Sequence, residues 1–198
     1  LCSLVRCHAL AGSESGCAPM LKRIDAYRAD DGGFHNAEAN QPHGTAYGCF
    51  LALGAYQDAG VNIPNPDGIV NCLQSLRSPD GGFANEHHIP VASTTATAGA
   101  VVALHSLGST VHTVTGDWLL ARAYRDGGFF ATEQAPMPDL LSTATTLHAL
   151  SAMGISFAQL KEPCLAFVDT LWSSKGGFYG HWADDELDCE YTYYGLLA

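Results

Sequence analysis

The sequence predicts an all-α fold, an α/α toroid built from about four stacked helical hairpins. Three observations carry this. Gly-Gly-Phe recurs at residues 32–34, 81–83, 127–129 and 176–178. The offsets of 49, 46 and 49 residues form the fixed period of a repeat architecture. Around these turns, two kinds of helical segment alternate, one amphipathic and one apolar on every face. The first wants solvent on one side and the second must be buried all round, so they sort into an outer and an inner ring.

The units are read at 13–60, 61–108, 109–154 and 155–198, preceded by residues 1–12 as the end of an inner helix. Each opens on an amphipathic segment. Ile69, Cys72, Leu73 and Leu76 recur at helical spacing in the second unit, as do Cys164, Phe167, Val168 and Leu171 in the fourth. The turn follows, where glycine permits positive φ and the Phe plugs the core. Asp31, Asp80 and Asp126 precede three turns, and Lys175 precedes the fourth. After a polar loop of about ten residues come small-residue helices at 45–56, 93–107, 142–153 and 191–198. Gly60, Gly108 and Gly154 follow the first three, as glycine follows many helix ends. No strand is predicted. His105 and His148 fall inside inner helices and are read as core histidines.

Parallel inner helices gather their N-termini at one mouth. Unpaired N–H groups and the positive ends of the helix dipoles make that mouth the expected place for chemistry.

The 198 residues, 47% hydrophobic and 15% charged, suffice for a packed core and exclude a disordered chain. With a period near 48, they hold four units, so the chain reads as a fragment of a longer polypeptide or an arc completed by self-association. Nine Lys and Arg against twenty Asp and Glu give a net charge of −11, which excludes nucleic acid as a main partner. Two stretches without Asp, Glu, Lys or Arg, at 89–116 and 140–160, are long enough to span a membrane. Their Ser, Thr and His content marks them as buried helices instead. Seven cysteines without a C-x-x-C pair read as free thiols of a reducing, cytoplasmic compartment. No signal peptide opens the chain.

From Asp31 onward, the Gly-Gly-Phe repeats with their small-residue helices resemble the protein prenyltransferase β-subunit and squalene–hopene cyclase superfamily. His43-Gly44-Thr45-Ala46-Tyr47-Gly48-Cys49 is similar to a helix start that helps hold the isoprenoid diphosphate in the prenyltransferase branch. Asp188-Cys189-Glu190-Tyr191 is similar to a run that supplies zinc ligands there. Asp188 matches the ligand Asp, Cys189 stands one position early, and Glu190 occupies the ligand Cys position. The cyclase branch carries an Asp-x-Asp-Asp-Thr-Ala proton-donor run. Asp139-Leu140-Leu141-Ser142-Thr143-Ala144 keeps its first Asp and its Thr-Ala, with Leu141 and Ser142 in place of the two following acids.

The resemblance implies a prenyltransferase-like enzyme that transfers a prenyl group to a nucleophile. Its ligand would be an isoprenoid diphosphate or another apolar small molecule, and a partner subunit would be needed. The alternatives are a class II terpene cyclase-like enzyme and a non-catalytic binding or scaffold module. Glu190, Asp188 and Asp139 are the candidate catalytic acids. His43, Tyr47, Tyr191, Tyr194 and Trp182 are the candidate substrate-binding residues, the aromatic ones lining an apolar lumen. Asp188, Glu190 and Cys189 are the candidate ligands of zinc or magnesium. Asp139 and Asp188 each lie ten residues beyond their Phe. They read either as a functional pair or as N-caps. His87 and His88 read as a solvated loop pair. No Lys or Arg follows a turn Phe within its loop, and acids with imidazoles suit a divalent cation.

Overall fold

The computed structural model describes residues 1–13 and 16–198. Its helices are α1 (Cys2–Leu10), α2 (Cys17–Asp25), α3 (Ala46–Asp58), α4 (Pro66–Ser75), α5 (Thr94–Ser106), α6 (Thr113–Leu120), α7 (Leu140–Ala152), α8 (Lys161–Thr170) and α9 (Cys189–Leu197). The odd-numbered helices pack in sequence, α1 on α3, α3 on α5, α5 on α7 and α7 on α9. The even-numbered ones lie against them as the outer layer. The inner course comes round far enough for its first and last helices to touch: Arg6 Nη1 donates to Tyr193 Oη at 2.6 Å. Arg6 also pairs with Asp58 at 2.8 Å, so one guanidinium ties α1 to α3 and α9.

All four turns share one construction. Antiparallel bridges join Arg28 to Phe34, Arg77 to Phe83 and Ala123 to Phe129, and Trp172 pairs with Phe178 in the same way. The first glycine of each turn has positive φ, between 86° and 108°, which only glycine adopts freely. The Phe rings are buried, and each Phe N–H donates into the following inner helix. The acceptors are Cys49 Sγ (3.4 Å), Thr97 Oγ1 (2.9 Å), Thr143 Oγ1 (2.9 Å) and Thr192 Oγ1 (3.3 Å). Each acceptor lies four residues beyond the helix N-cap, namely Thr45, Ser93, Asp139 or Asp188.

Several details differ from the sequence reading. Short ribbons interrupt the helical pattern, β1 (Ala84–Glu86) with β2 (Ile89–Ala92), and β3 (Trp172–Ser173) with β4 (Gly177–Phe178). They are local closures of the turn loops, too short to carry a periodic signal. Helices α7 and α9 start two residues early, at Leu140 and Cys189, because Asp139 and Asp188 themselves are the caps. His105 and His148 are exposed, not core. His105 falls in the last turn of α5, where an imidazole complements the terminal carbonyls.

All seven cysteines are free. No helix among the described residues is long and apolar enough to cross a membrane.

Candidate functional site

The inner-helix N-termini present fewer unpaired amides than expected. Thr45, Ser93, Asp139 and Asp188 accept from Gly48, Ala96, Ser142 and Tyr191 N–H respectively. The loop of the next repeat takes a further amide each time. Tyr47 N donates to Asn85 Oδ1 (3.1 Å), Thr94 N to Ala131 O (2.9 Å) and Leu140 N to Gly180 O (2.8 Å). Helix ends buried in a protein must find partners, and here they find them in the neighbouring repeat. The mouth is therefore built from side chains.

The second residues of α3, α5 and α7, namely Tyr47, Thr95 and Leu141, are partly exposed, and that of α9, Glu190, is exposed. Two of them meet, with Tyr47 Oη donating to Glu190 Oε1 at 3.4 Å. Tyr47 stands 6.4 Å from the Phe50 ring and roughly parallel to it. Burial raises the Tyr47 phenol above its usual pKa, and the Glu190 carboxylate adds to the shift. Burial also pushes up Tyr194, with Tyr47 next in effect. An aromatic wall with one carboxylate thus forms where α3 faces α9.

Asp139 is tied by Ser142, whose backbone N reaches Oδ1 and whose hydroxyl reaches Oδ2, both at 2.7 Å. Burial raises its pKa against those bonds and against the pull of His181. Tyr191 rests on Gly180, where a Cβ would meet its ring. Its phenol is raised by burial first and then by Asp184, Asp188, Asp139 and Glu190.

Three expectations need correction. Trp182 stays outside the lumen. Its Nε1 donates to Thr170 on α8 at 2.9 Å, and its ring meets Phe167 of α8 edge-on at 5.3 Å. Asp188, Cys189 and Glu190 are not brought together as ligands. The one group of metal-capable side chains among the described residues, with ligand atoms within 4.8 Å of one another, is Asp31, His43 and His87. Consecutive residues on a helix point about 100° apart, and Asp188 Oδ1 caps α9. As placed, Asp188, Cys189 and Glu190 do not fit a zinc ion. Finally, His43 stands beside a carboxylate, its Nδ1 3.6 Å from Asp31 Oδ2. A phosphate there would face a like charge.

The sequence reading missed Asp31 and the role of His87. A signal was present in the repeat register. Asp31, Asp80 and Asp126 each stand three residues before their Phe, and His87, Glu133 and Trp182 stand four after theirs. His43, Val91 and Met137 each stand two residues before a cap. On the outer helices, Cys72, Trp118 and Phe167 each stand eleven residues before their Phe. In the first junction these four columns bring together Asp31, His43, Cys72 and His87. In the second junction, Asp80, Val91, Trp118 and Glu133 line one cleft of about 390 Å³.

The family model of the prenyltransferase alpha-alpha toroid domain matches residues 8–129 and 100–198. The chain belongs to this family. No curated protein matches it. Among solved structures, the toroid domain is similar to a variant of the type II terpene cyclase MstE from Scytonema in complex with geranylgeranyl dihydroxybenzoate. The TM-score is 0.70 at 16% identity, covering 99% of this chain and 60% of that one. Unliganded MstE gives a TM-score of 0.65 at 17% identity, covering 90% and 54%. Candida albicans protein geranylgeranyltransferase-I complexed with GGPP gives 0.63 at 16% identity, covering 89% and 57%. The toroid domain thus spans about three fifths of the length of these proteins. At such identities the likeness establishes the shared fold.

Proposed function

We propose that this toroid domain acts as a prenyltransferase-like enzyme, with an isoprenoid diphosphate as substrate. The prenyl chain lies along the inner helices, and its reactive end sits at the mouth beside Tyr47, Tyr194 and Glu190. The Tyr47–Glu190 pair carries this reading, because it sets one carboxylate against an aromatic wall where α3 and α9 face each other. In the transfer, a nucleophile such as a thiol attacks the prenyl C1. The C–O bond to diphosphate breaks, diphosphate leaves, and Glu190 takes the proton of the nucleophile. The Tyr47 hydroxyl orients that carboxylate.

The test is calorimetric titration of the protein with farnesyl and geranylgeranyl diphosphate, then diphosphate release in the presence of a thiol peptide. Glu190→Gln should leave binding within about threefold and lower release by about 100-fold or more, the usual share of a general base. Absence of binding by either diphosphate overturns the reading.

One observation favours a second reading, a cyclase-like enzyme. Burial holds the Asp139 carboxyl toward its protonated form, as an acid that protonates an alkene requires. In that case Asp139→Asn abolishes formation of a cyclised product from a geranylgeranyl substrate, and Glu190→Gln does not.

A further inference from the structure

We propose that Asp31, His43 and His87 bind one first-row divalent cation, zinc foremost, which clips the first repeat to the second at the outer edge of their junction. The three come from separate segments: Asp31 from the first turn, His43 from the loop ahead of α3, and His87 from the β1–β2 turn of the next repeat. Their ligand atoms all lie within 4.8 Å of one another. The Asp31–His43 separation of 3.6 Å is long for a hydrogen bond. It is close to the edge of about 3.4 Å of a tetrahedron with metal–ligand bonds near 2.1 Å.

Two of the three ligands are oriented by partners outside the group. Asp31 Oδ1 accepts from Gly33 N at 2.9 Å, and Gly44 N is shared between Oδ1 and Oδ2 at 3.1 Å each, which fixes the carboxylate with Oδ2 on the His43 side. Ser75 Oγ gives its proton to Cys72 O at 2.6 Å. It is then left as an acceptor toward His87 Nε2, 3.2 Å away. With Nε2 carrying the ring proton, Nδ1 keeps the lone pair that a metal needs. Such outer partners fix the tautomer and angle of ligating histidines. The His43 and His87 rings lie 4.5 Å apart, tilted by 59°. Nothing within the group bonds them to each other, and an ion would.

Two imidazoles with one carboxylate select the borderline first-row metals over magnesium or calcium. His43 is half exposed and Asp31 is 21% exposed, so an ion can enter and water can complete its shell. The other junctions have lost the set. The second carries Asp80, Val91 and Glu133, and the third carries Asp126, Met137 and Trp182.

The test is titration of the metal-stripped full chain with zinc by calorimetry, and with cobalt(II) by absorption. One zinc per chain is expected, with a cobalt spectrum free of thiolate charge-transfer bands, although the chain carries seven cysteines. His43→Ala and His87→Ala should each weaken binding by about 100-fold or more, and Ser75→Ala by about 10-fold. The melting temperature should rise with zinc in the native chain and stay unchanged in His43→Ala/His87→Ala. No zinc binding, binding that survives both histidine variants, or a thiolate band in the cobalt spectrum overturns the site. Each outcome is independent of whether the lumen binds a diphosphate.

Discussion

The first and second repeat junctions have the same backbone and opposite chemistry. In both, an aspartate just ahead of the Gly-Gly-Phe turn faces the next outer helix. In the second junction, Trp118 fills that space. Its Nε1 donates to Asp80 Oδ2 at 2.9 Å, its ring lies under the Arg122 guanidinium at 4.2 Å, and its edge covers Gly82. In the first junction, the matching residue is Cys72, a far smaller side chain. Among the described residues, Asp31 takes only backbone donors, from Gly33 and Gly44, and His43 and His87 stand beside it. In one junction an indole engages the aspartate at the edge of a cleft; in the other the aspartate faces two imidazoles, and the residue that decides between them sits on an outer helix rather than in the loops.

Removing the packing residue should give the largest effect. Trp118→Ala deletes a nearly buried ring and leaves Asp80 without its indole donor, so it should cost about 3–5 kcal/mol. Cys72→Ala, at an equally buried position, removes one sulfur and should cost about 1 kcal/mol. Urea unfolding of both variants measures the gap. Equal losses would mean that the two junctions are held in the same way.

The framework of this contrast was legible in the sequence, because Gly-Gly-Phe at a regular period fixes the hairpins and the alternation of helix types fixes the rings. The contents of the junctions were harder to see. Asp31 lies 12 residues from His43 and 56 from His87, so no local motif joins them, and only repeats laid in register bring the columns together. Asp188, Cys189 and Glu190 look like a site on the page because they are adjacent. A helix spreads adjacent side chains around its axis, and the cap role took one of them. Trp182 looked like lumen lining by its type. Its column is that of His87 and Glu133, which belongs to the junctions.

A milder perturbation sharpens the contrast at the turn glycines. A Cβ on Gly82 would lie 2.6 Å from Trp118 Cε2 and 2.7 Å from the Ala92 Cβ, neither of which can step aside. Gly82→Ala should therefore cost about 1–3 kcal/mol, as overpacking does. At Gly33 the first obstacle is the Cys72 sulfur, which can turn about one bond, and the second is the Cys72 Cβ at 2.9 Å, which cannot. Gly33→Ala should cost less, and part of its loss should be recovered in Gly33→Ala/Cys72→Ala, which removes the sulfur and keeps the Cβ. Thermal melts of the three variants check this, and a larger loss at Gly33 would reverse the order of rigidity.

The smallest effect carries the comparison to the third junction, where a carboxylate cap replaces the hydroxyls of Thr45 and Ser93. Burial raises the Asp139 pKa above its usual value of 3.8 despite two bonds from Ser142. A carboxyl whose pKa is higher folded than unfolded lends its full stability below the unfolded pKa, and that share is lost as pH rises through the folded pKa. Asp139→Asn keeps an acceptor for the Ser142 amide and removes the charge, and Asn caps about as well as Asp. Relative to this variant, the native chain should lose stability as pH rises from below 3.8 through the raised folded pKa of Asp139, then stay level. Urea midpoints of the two proteins across that range give the slope. An increase instead of a loss would mean that the Ser142 bonds and the α7 dipole outweigh burial, and that the third junction holds its carboxylate as an anion.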